Sequence, residues 1–426
     1  MRSIHLPVRV WLFLCFALSF CGSDSQPLAE WEGGSITRAE LKYTFQLLGK
    51  PPKIDSQAQV LEGLAVLKMS ASESLRQGLS DSPEFKKKSA YFEKAAFVGA
   101  FERFVAQETR KKKFKMMELQ GAFLHDAATP KTREEEALDF VKRLNAASEI
   151  DVIQMIAERT ELRRYGVVGG YMEPLCSNCP MNPYVFLINP ARRAEGKFIS
   201  IPDSNGFWIV RKVREEEFAD DDLVEEYAHY YRKIVPIGRH FVRELPEGNE
   251  RLALEVTIPA DSDIAMTANQ KAQAHLLRES RLAYENKLRE KKAEHHFEAG
   301  PNWNKSDQIA NRAELLFKLD DKSFTLADFE TEIPESARDK GLILHQVVFP
   351  YLLLKDDFLA DPVRKSDYFK FLLEWNRNTA LSELYIARLE PGSEEKRTAR
   401  MNALRAELPQ KYSLRIHKDR LHDGVL

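Results

Sequence analysis

Cysteine is scarce in this sequence, and its N-terminal apolar stretch is short. The 426 residues include only four cysteines, at positions 15, 21, 176 and 179, which excludes a scaffold held mainly by disulfides. The apolar stretch Val10–Phe20 is shorter than the roughly 17–25 residues that cross a bilayer. A hydrophobic core must therefore hold the fold together.

An excess of charge of one sign is also lacking. The chain has 63 Lys and Arg against 65 Asp and Glu, for a net charge of −2, so nothing in the overall charge favours a nucleic-acid partner. Hydrophobic residues make up 43% and charged residues 30%, a balance typical of folded soluble domains rather than disordered or multi-span membrane proteins. The length allows two or three domains.

The first twenty-one residues have the features of an export signal. Arg2 and Arg9 precede the apolar stretch, which is the order found in secretion signals. The following residues, 18–22, resemble a bacterial lipobox, in which the cysteine, here Cys21, is acylated and becomes the mature N-terminus. An ordinary cleaved signal is the alternative. We expect an exported chain that is anchored to a bacterial membrane through acylated Cys21, on the periplasmic or cell-surface side.

Two parts of the chain begin with similar helix-start patterns. Thr37 and Glu40 have the spacing of a capping box, and apolar residues at helical spacing follow them. Residues 35–41 recur in similar form at 323–329, and residues 89–92 recur at 366–369. We interpret these echoes as a duplicated helical module, with chance similarity of helix starts as the alternative.

The middle of the chain mixes strands with helices and predicts a small α/β domain. The expected strands are Ala122–His125, Lys197–Ile201 and Phe207–Val213, and the expected helices are Arg133–Asn145 and Ile150–Ile156. Beyond this domain, the sequence predicts a helix over Leu223–Val235 stopped by Pro236, a strand over Leu252–Ile258 and a charged helix over Ala268–Phe297.

This order of elements resembles the SurA/PrsA-type periplasmic foldases, in which helical chaperone modules flank a parvulin-like (PpiC-type) peptidyl-prolyl isomerase domain. The matching residues are Gly169-Gly170, Met181 with Tyr184 three residues later, residues 196–200, and residues 206–210 around Trp208. The resemblance implies an α+β fold, with mainly helical SurA-like modules around a small parvulin-like α/β domain.

The resemblance also implies a division of the chain. The predicted parts are a signal peptide (1–20), a lipidated tether (21–27), a SurA-N-like helical module (28–118), a parvulin-like domain (119–216), a helical connecting region (217–312) and a second helical chaperone-like module (313–426).

The resemblance implies that Met181, Tyr184 and Trp208 are candidate catalytic residues. It implies that Phe207 and Phe123 are candidate substrate-binding residues. Prolyl isomerisation makes and breaks no bond, so a water-excluding apolar pocket that favours the twisted amide can catalyse it without a cofactor. The histidines that parvulin domains carry on their first and last strands are missing. Ala122 or Phe123 stands at the first position and Trp208 at the second. We therefore expect weak or no turnover, with peptide binding retained.

The segment from Cys176 to Cys179 has the spacing of redox and zinc motifs. Pro174 and Pro180 indicate a loop rather than the helix start of a thioredoxin-like site. Zinc would need two further ligands, and the sequence has no second cysteine pair. We predict a structural disulfide and no metal site, with redox activity and metal binding as alternatives.

These observations lead to one main functional hypothesis. The chain is predicted to be an exported, lipid-anchored folding factor, an isomerase-like chaperone that binds unfolded or nascent exported polypeptides. The alternative is a non-catalytic surface lipoprotein that acts as an assembly or host-binding scaffold. A thiol oxidoreductase is the third hypothesis, and it rests on the cysteine pair alone.

Overall fold

The computed structural model describes residues 26–48, 54–125, 130–159, 168–179, 184–244, 258–304, 313–329, 341 and 343–421. The strands in these ranges are β1 (Pro27–Trp31), β2 (Gly34–Thr37), β3 (Phe114–His125), β4 (Leu175–Cys176), β5 (Ile199–Asp203), β6 (Gly206–Phe218), β7 (Glu298–Ala299), β8 (Leu315–Leu319), β9 (Lys322–Thr325) and β10 (Arg415–Ile416). The α-helices are α1 (Arg38–Leu48), α2 (Ile54–Arg76), α3 (Pro83–Ser89), α4 (Phe92–Arg110), α5 (Pro130–Ala146), α6 (Glu149–Arg159), α7 (Val185–Arg193), α8 (Leu223–Glu244), α9 (Ile264–Glu294), α10 (Phe349–Leu354), α11 (Ala360–Lys365), α12 (Asp367–Leu389) and α13 (Glu394–Lys411).

The chain divides into two compact units. The first combines the residues up to Glu102 with those from Leu288 onward, and the second is Arg103–Lys287. Helices dominate, and the strands form three small antiparallel sheets, so the predicted α+β class is confirmed. Among the helices in the described ranges, none is both long and apolar enough to cross a membrane.

The first unit contains two three-stranded sheets of the same design. Their strand orders are β10-β1-β2 and β7-β8-β9, so each is a hairpin extended by a short strand that pairs with the first hairpin strand. Each hairpin is followed by a capping bond, from Thr37 N to Glu40 Oε2 (2.8 Å) and from Thr325 N to Asp328 Oδ2 (2.6 Å). The echo between residues 35–41 and 323–329 therefore corresponds to the same local structure, although a 3₁₀ turn rather than an α-helix follows β9.

The two ends of the chain share one core in this unit. Leu28 and Ile36 of the first hairpin are buried together with Leu61 of α2 and Leu404 and Leu408 of α13. The strand β10 completes the β1–β2 sheet, and His417 N donates to the backbone oxygen of Leu28 at 2.9 Å. Residues near the C-terminus thus cover apolar surface that the N-terminal hairpin would otherwise expose to water.

The second unit is built on a four-stranded antiparallel sheet in the order β4-β3-β6-β5. Its central pair runs in register from Phe114 opposite Phe218 to His125 opposite Gly206, with an irregularity after Glu118. Side chains alternate between the two faces of a strand. One face packs against Phe140 of α5 and Ile156 of α6, and the other packs against Leu187 and Ile188 of α7. This alternation decides which aromatic residues can meet.

Several predicted elements are longer in the structure than expected, most of all β3 and α8. Strand β3 begins at Phe114 rather than Ala122, because Met117 and Leu119 continue the buried alternation of the strand. Helix α8 does not stop at Pro236 but continues to Glu244. A proline inside a helix costs about 3 kcal/mol, and the buried side chains of Tyr231 and Ile234 offset that cost by packing. The predicted strand 252–258 falls outside the described residues except for Ile258.

Candidate functional site

An aromatic cluster lies on the α7 face of the four-stranded sheet. Phe123 of β3 and Trp208 of β6 are direct cross-strand partners, and their ring centroids are 4.8 Å apart. Tyr184 and Phe186, at the beginning of α7, approach the Trp208 ring edge-on at 6.3 and 6.4 Å. We call these four residues the aromatic patch. Edge-to-face contacts at such distances are favourable, so the rings support one another's orientation.

The outer part of the aromatic patch is open to solvent. Tyr184 is 39% exposed, Phe186 is 40% exposed, and Val185 between them is 52% exposed. Helix α7 buries Leu187, Ile188 and Ala191 against the sheet, so its first residues are left outside the core. Single exposed apolar residues are common, but here three consecutive ones lie beside two half-buried rings and form an exposed apolar patch.

A carboxylate, that of Asp203, borders the aromatic patch. The Trp208 indole Nε1–H donates to Asp203 Oδ2 at 3.0 Å, and Ser204 N donates to Asp203 Oδ1 at 2.6 Å. These hydrogen bonds, the one from Trp208 above all, lower the pKa of Asp203 below its ordinary value. Asp203 is therefore ionised at neutral pH and holds the indole in place. Phe123, Phe186 and Trp208 carry no group that titrates near pH 7.

The structure brings together three of the residues predicted from the sequence. Phe123, Tyr184 and Trp208 meet in the aromatic patch. Phe207 does not join them, because adjacent strand residues point to opposite faces, and it packs with the α5 and α6 cluster instead. Met181 lies outside the described residues.

Phe186 belongs to the patch but was missed in the sequence. The signal that could have found it is the run Tyr184-Val185-Phe186 directly before the buried residues of α7. An apolar run that extends beyond the buried stripe of a helix indicates a surface with another use.

The charged side chains at the centre of the sheet form ion pairs with one another. Glu118 of β3 is 1% exposed and accepts hydrogen bonds from Arg214 Nε at 3.1 Å and Lys233 Nζ at 2.7 Å. Arg214 also pairs with the buried Glu226 of α8. Burial raises the pKa of Glu226, an effect that Arg214 partly opposes. Buried charges that satisfy each other in this way have a structural role.

Cys176 and Cys179 are joined by a disulfide, with their Cα atoms 5.4 Å apart. The loop that carries them is held to β3 by hydrogen bonds from Ser177 N to Lys115 O at 2.7 Å and from Asn178 Nδ2 to Lys113 O at 3.0 Å. The side chain of His275 lies beside the two sulfurs. One potential metal-ligand atom from each of these three residues lies within 4.8 Å of the other two.

The first unit carries a separate groove of about 440 Å³ between α3, α12 and α13. Leu384, Ile386 and Met401 provide its apolar lining, and Lys88 and Glu383 form an ion pair of 2.5 Å at its rim.

Comparisons with known proteins give a limited picture. A family model whose description reads only ":-like", and so names no function, matches residues 2–337. No curated protein matches the chain. Among solved structures, the chain is similar to the crystal structure of PrsA from Bacillus subtilis, with 15% identity and a TM-score of 0.19 over 59% of this chain and 93% of that one. A likeness this distant carries no argument about function.

Proposed function

The chain belongs to the family whose model matches residues 2–337, and from its own surface we propose that it is a folding factor. In this proposal it is exported, anchored to a membrane by lipid at Cys21, and binds extended apolar segments of unfolded polypeptides. The observation that supports the proposal is the aromatic patch, an exposed apolar surface on a rigid sheet.

The chemistry of the aromatic patch suits peptides rather than small polar ligands. Flat rings offer a large apolar contact area to proline rings and to aliphatic or aromatic side chains, with little demand on sequence. Trp208 and Phe123 stand on two paired strands and provide a fixed floor, while Tyr184 and Phe186 form a more exposed wall. An extended chain laid across these rings would lose water from its apolar side chains, and that loss favours binding.

Prolyl isomerisation, in this proposal, is weak or lost. The resemblance to parvulin domains implies histidines on the first and last strands, where this chain has Ala122 or Phe123 and Trp208. Phe123 and Trp208 are cross-strand partners. The polar hydrogen of Trp208 is already donated to Asp203. The pair of Phe123 and Trp208 can therefore desolvate a proline peptide bond but offers it no further hydrogen-bond donor. The absence of histidines at these positions also favours a second candidate, a non-catalytic surface lipoprotein that binds a folded partner.

The test measures binding, chaperone activity and catalysis on residues 22–426. Tyr184→Ala and Phe186→Ala should each weaken binding of a fluorescent proline-containing peptide about fivefold, since truncating a half-exposed ring removes about 1 kcal/mol of apolar contact. The matched control is Phe358→Ala, an aromatic residue that is 78% exposed and lies in the first unit. It should bind as the unsubstituted protein does.

Three outcomes separate the candidate functions. Suppression of aggregation of an unfolded client that falls in parallel with peptide affinity supports the folding factor. Acceleration of prolyl isomerisation above the spontaneous rate would show that the apolar patch suffices for catalysis. Patch variants that keep full peptide affinity and full aggregation suppression would overturn the proposal and favour the scaffold.

A further inference from the structure

His275 of α9 is a buried polar side chain without an evident structural task. It is 4% exposed, and its Nε2 atom has no hydrogen-bond partner. Its Nδ1 atom lies 3.3 Å from the guanidinium of Arg278. A buried polar atom left unpaired costs about 1–3 kcal/mol, and such atoms are rare in folded proteins. The position of His275 therefore calls for an explanation.

The neighbours of His275 include two sulfur atoms. A ring nitrogen of His275 and the sulfurs of Cys176 and Cys179 all lie within 4.8 Å of one another. The aromatic rings of Phe114 and Tyr227 pack around the imidazole, with centroids 5.4 and 6.5 Å away.

We propose that Cys176, Cys179 and His275 form a binding site for a thiophilic ion such as Zn²⁺, which the disulfide closes and its reduction opens. Two thiolates and an imidazole are protein ligands of tetrahedral zinc, and water would take the fourth position. A dithiol or phosphine reductant would supply the two electrons that break the S–S bond, and solvent protons would complete the thiols. Zinc binding would then release the two thiol protons to solvent.

The geometry requires the sulfurs to separate and the imidazole to approach them. Tetrahedral zinc with Zn–S bonds of about 2.3 Å and Zn–N bonds of about 2.0 Å places its donor atoms about 3.5–3.8 Å apart. The two sulfurs, joined in the disulfide, must therefore move apart to about 3.8 Å after reduction, and the imidazole, which lies within 4.8 Å of them, must approach by at most about 1 Å. Binding through Nε2 places the ring proton on Nδ1, and Arg278, whose side chain is 58% exposed, can rotate away to permit this.

The cysteine loop does not depend on the disulfide for its position. Its backbone and side-chain bonds to β3 involve Ser177 and Asn178 and none of the sulfur atoms. Ser177 Oγ also donates to Glu215 of β6 at 2.6 Å. These bonds hold both cysteines near His275 after the S–S bond is broken, so the ligands are preorganised for a metal. The inference is independent of peptide binding at the aromatic patch.

The test uses residues 22–426, reduced and then freed of reductant without oxygen, and zinc chloride as the probe. Competition with a chromogenic chelator should show one zinc ion per reduced chain and none per oxidised chain. His275→Ala should weaken zinc binding at least tenfold, whereas His296→Ala, at a histidine whose side chain is 85% exposed, should not change it. Cobalt should give a sulfur-to-metal charge-transfer band only in the reduced protein.

Two results would overturn the inference. The first is a reduced chain that binds no zinc at micromolar concentrations. The second is a folded His275→Ala variant with the affinity of the unsubstituted protein. If His275→Ala fails to fold, Cys179→Ser replaces it in the same test, because Cys179 is only partly buried. Retained stoichiometric binding by Cys179→Ser would likewise contradict the site.

Discussion

Replacement of Arg214 by methionine tests the buried charges of the second unit most directly. Arg214 of β6 pairs with two carboxylates, Glu118 and Glu226, which are 1% and 2% exposed. Methionine keeps much of the side-chain volume but removes the positive charge. Lys233 Nζ still holds Glu118 at 2.7 Å. Glu226, in contrast, loses its ion pair and remains inside the protein.

The magnitude follows from the ways in which Glu226 can respond. Removing one partner of a buried ion pair leaves the other charge unpaired and lowers the free energy of unfolding by about 3–5 kcal/mol. Glu226 can escape part of this cost by taking up a proton, and protonating a carboxyl of ordinary pKa 4.5 at pH 7 costs about 3 kcal/mol. We therefore expect Arg214→Met to lower the free energy of unfolding of this unit by about 3 kcal/mol at pH 7.

The loss should depend on pH in a defined direction. Burial raises the pKa of Glu226 in the folded protein, so the folded state holds this proton more tightly than the unfolded state, and stability falls as pH rises above 4.5. Removal of Arg214 enlarges this difference. The deficit of Arg214→Met should thus be greatest at pH 7 and should shrink as the pH falls toward 4.5.

Hydrogen exchange of the β3 and β6 amides at several pH values measures this free energy in the second unit itself. The control is Arg232→Met, because Arg232 pairs with Glu225 through side chains that are 58% and 70% exposed, and solvent-exposed ion pairs contribute little to stability. Adding Glu226→Gln to Arg214→Met should recover part of the loss. Equal deficits for the two arginine variants, or a deficit that grows toward low pH, would refute the reasoning.

Two further substitutions test the backbone. Gly121→Ala in β3 should destabilise the sheet by about 1–3 kcal/mol, because the added Cβ would lie 2.2 Å from the backbone oxygen of Ile209. Gly63→Ala in α2 should instead stabilise the protein by about 0.5–1 kcal/mol, because nothing lies within 4 Å of the added Cβ. Urea unfolding distinguishes these signs, and a harmless Gly121→Ala would show that the β3–β6 contact is looser than described. Ser366→Ala should cost about 1 kcal/mol, since Ser366 Oγ caps α12 by accepting from Phe369 N at 3.2 Å. Ser393→Ala at the start of α13, where no side-chain cap bond forms, should cost less in the same assay, and equal losses would contradict the assignment.

Local patterns allowed several elements to be predicted from the sequence. The capping residues at Thr37 and Thr325 were predictable because the bond joins residues three positions apart and needs no distant partner. The sheet strand containing Trp208 was predictable because its first residues are aromatic and β-branched, and the resemblance indicated Phe123 and Tyr184 as aromatic residues of the site. Export, acylation of Cys21, domain boundaries and client binding stay predictions.

Contacts between distant segments were decided only by the tertiary structure. The pairing of β10 with β1 joins the two ends of the chain, and the approach of His275 to the cysteine loop depends on how α9 packs. The continuation of α8 beyond Pro236 has the same origin, whereas the exclusion of Phe207 from the aromatic patch follows from the local alternation of strand residues. Sequence patterns report which face of an element is apolar, because that property is local. Which other element covers that face depends on the packing of the whole unit, and no short stretch of sequence contains that information.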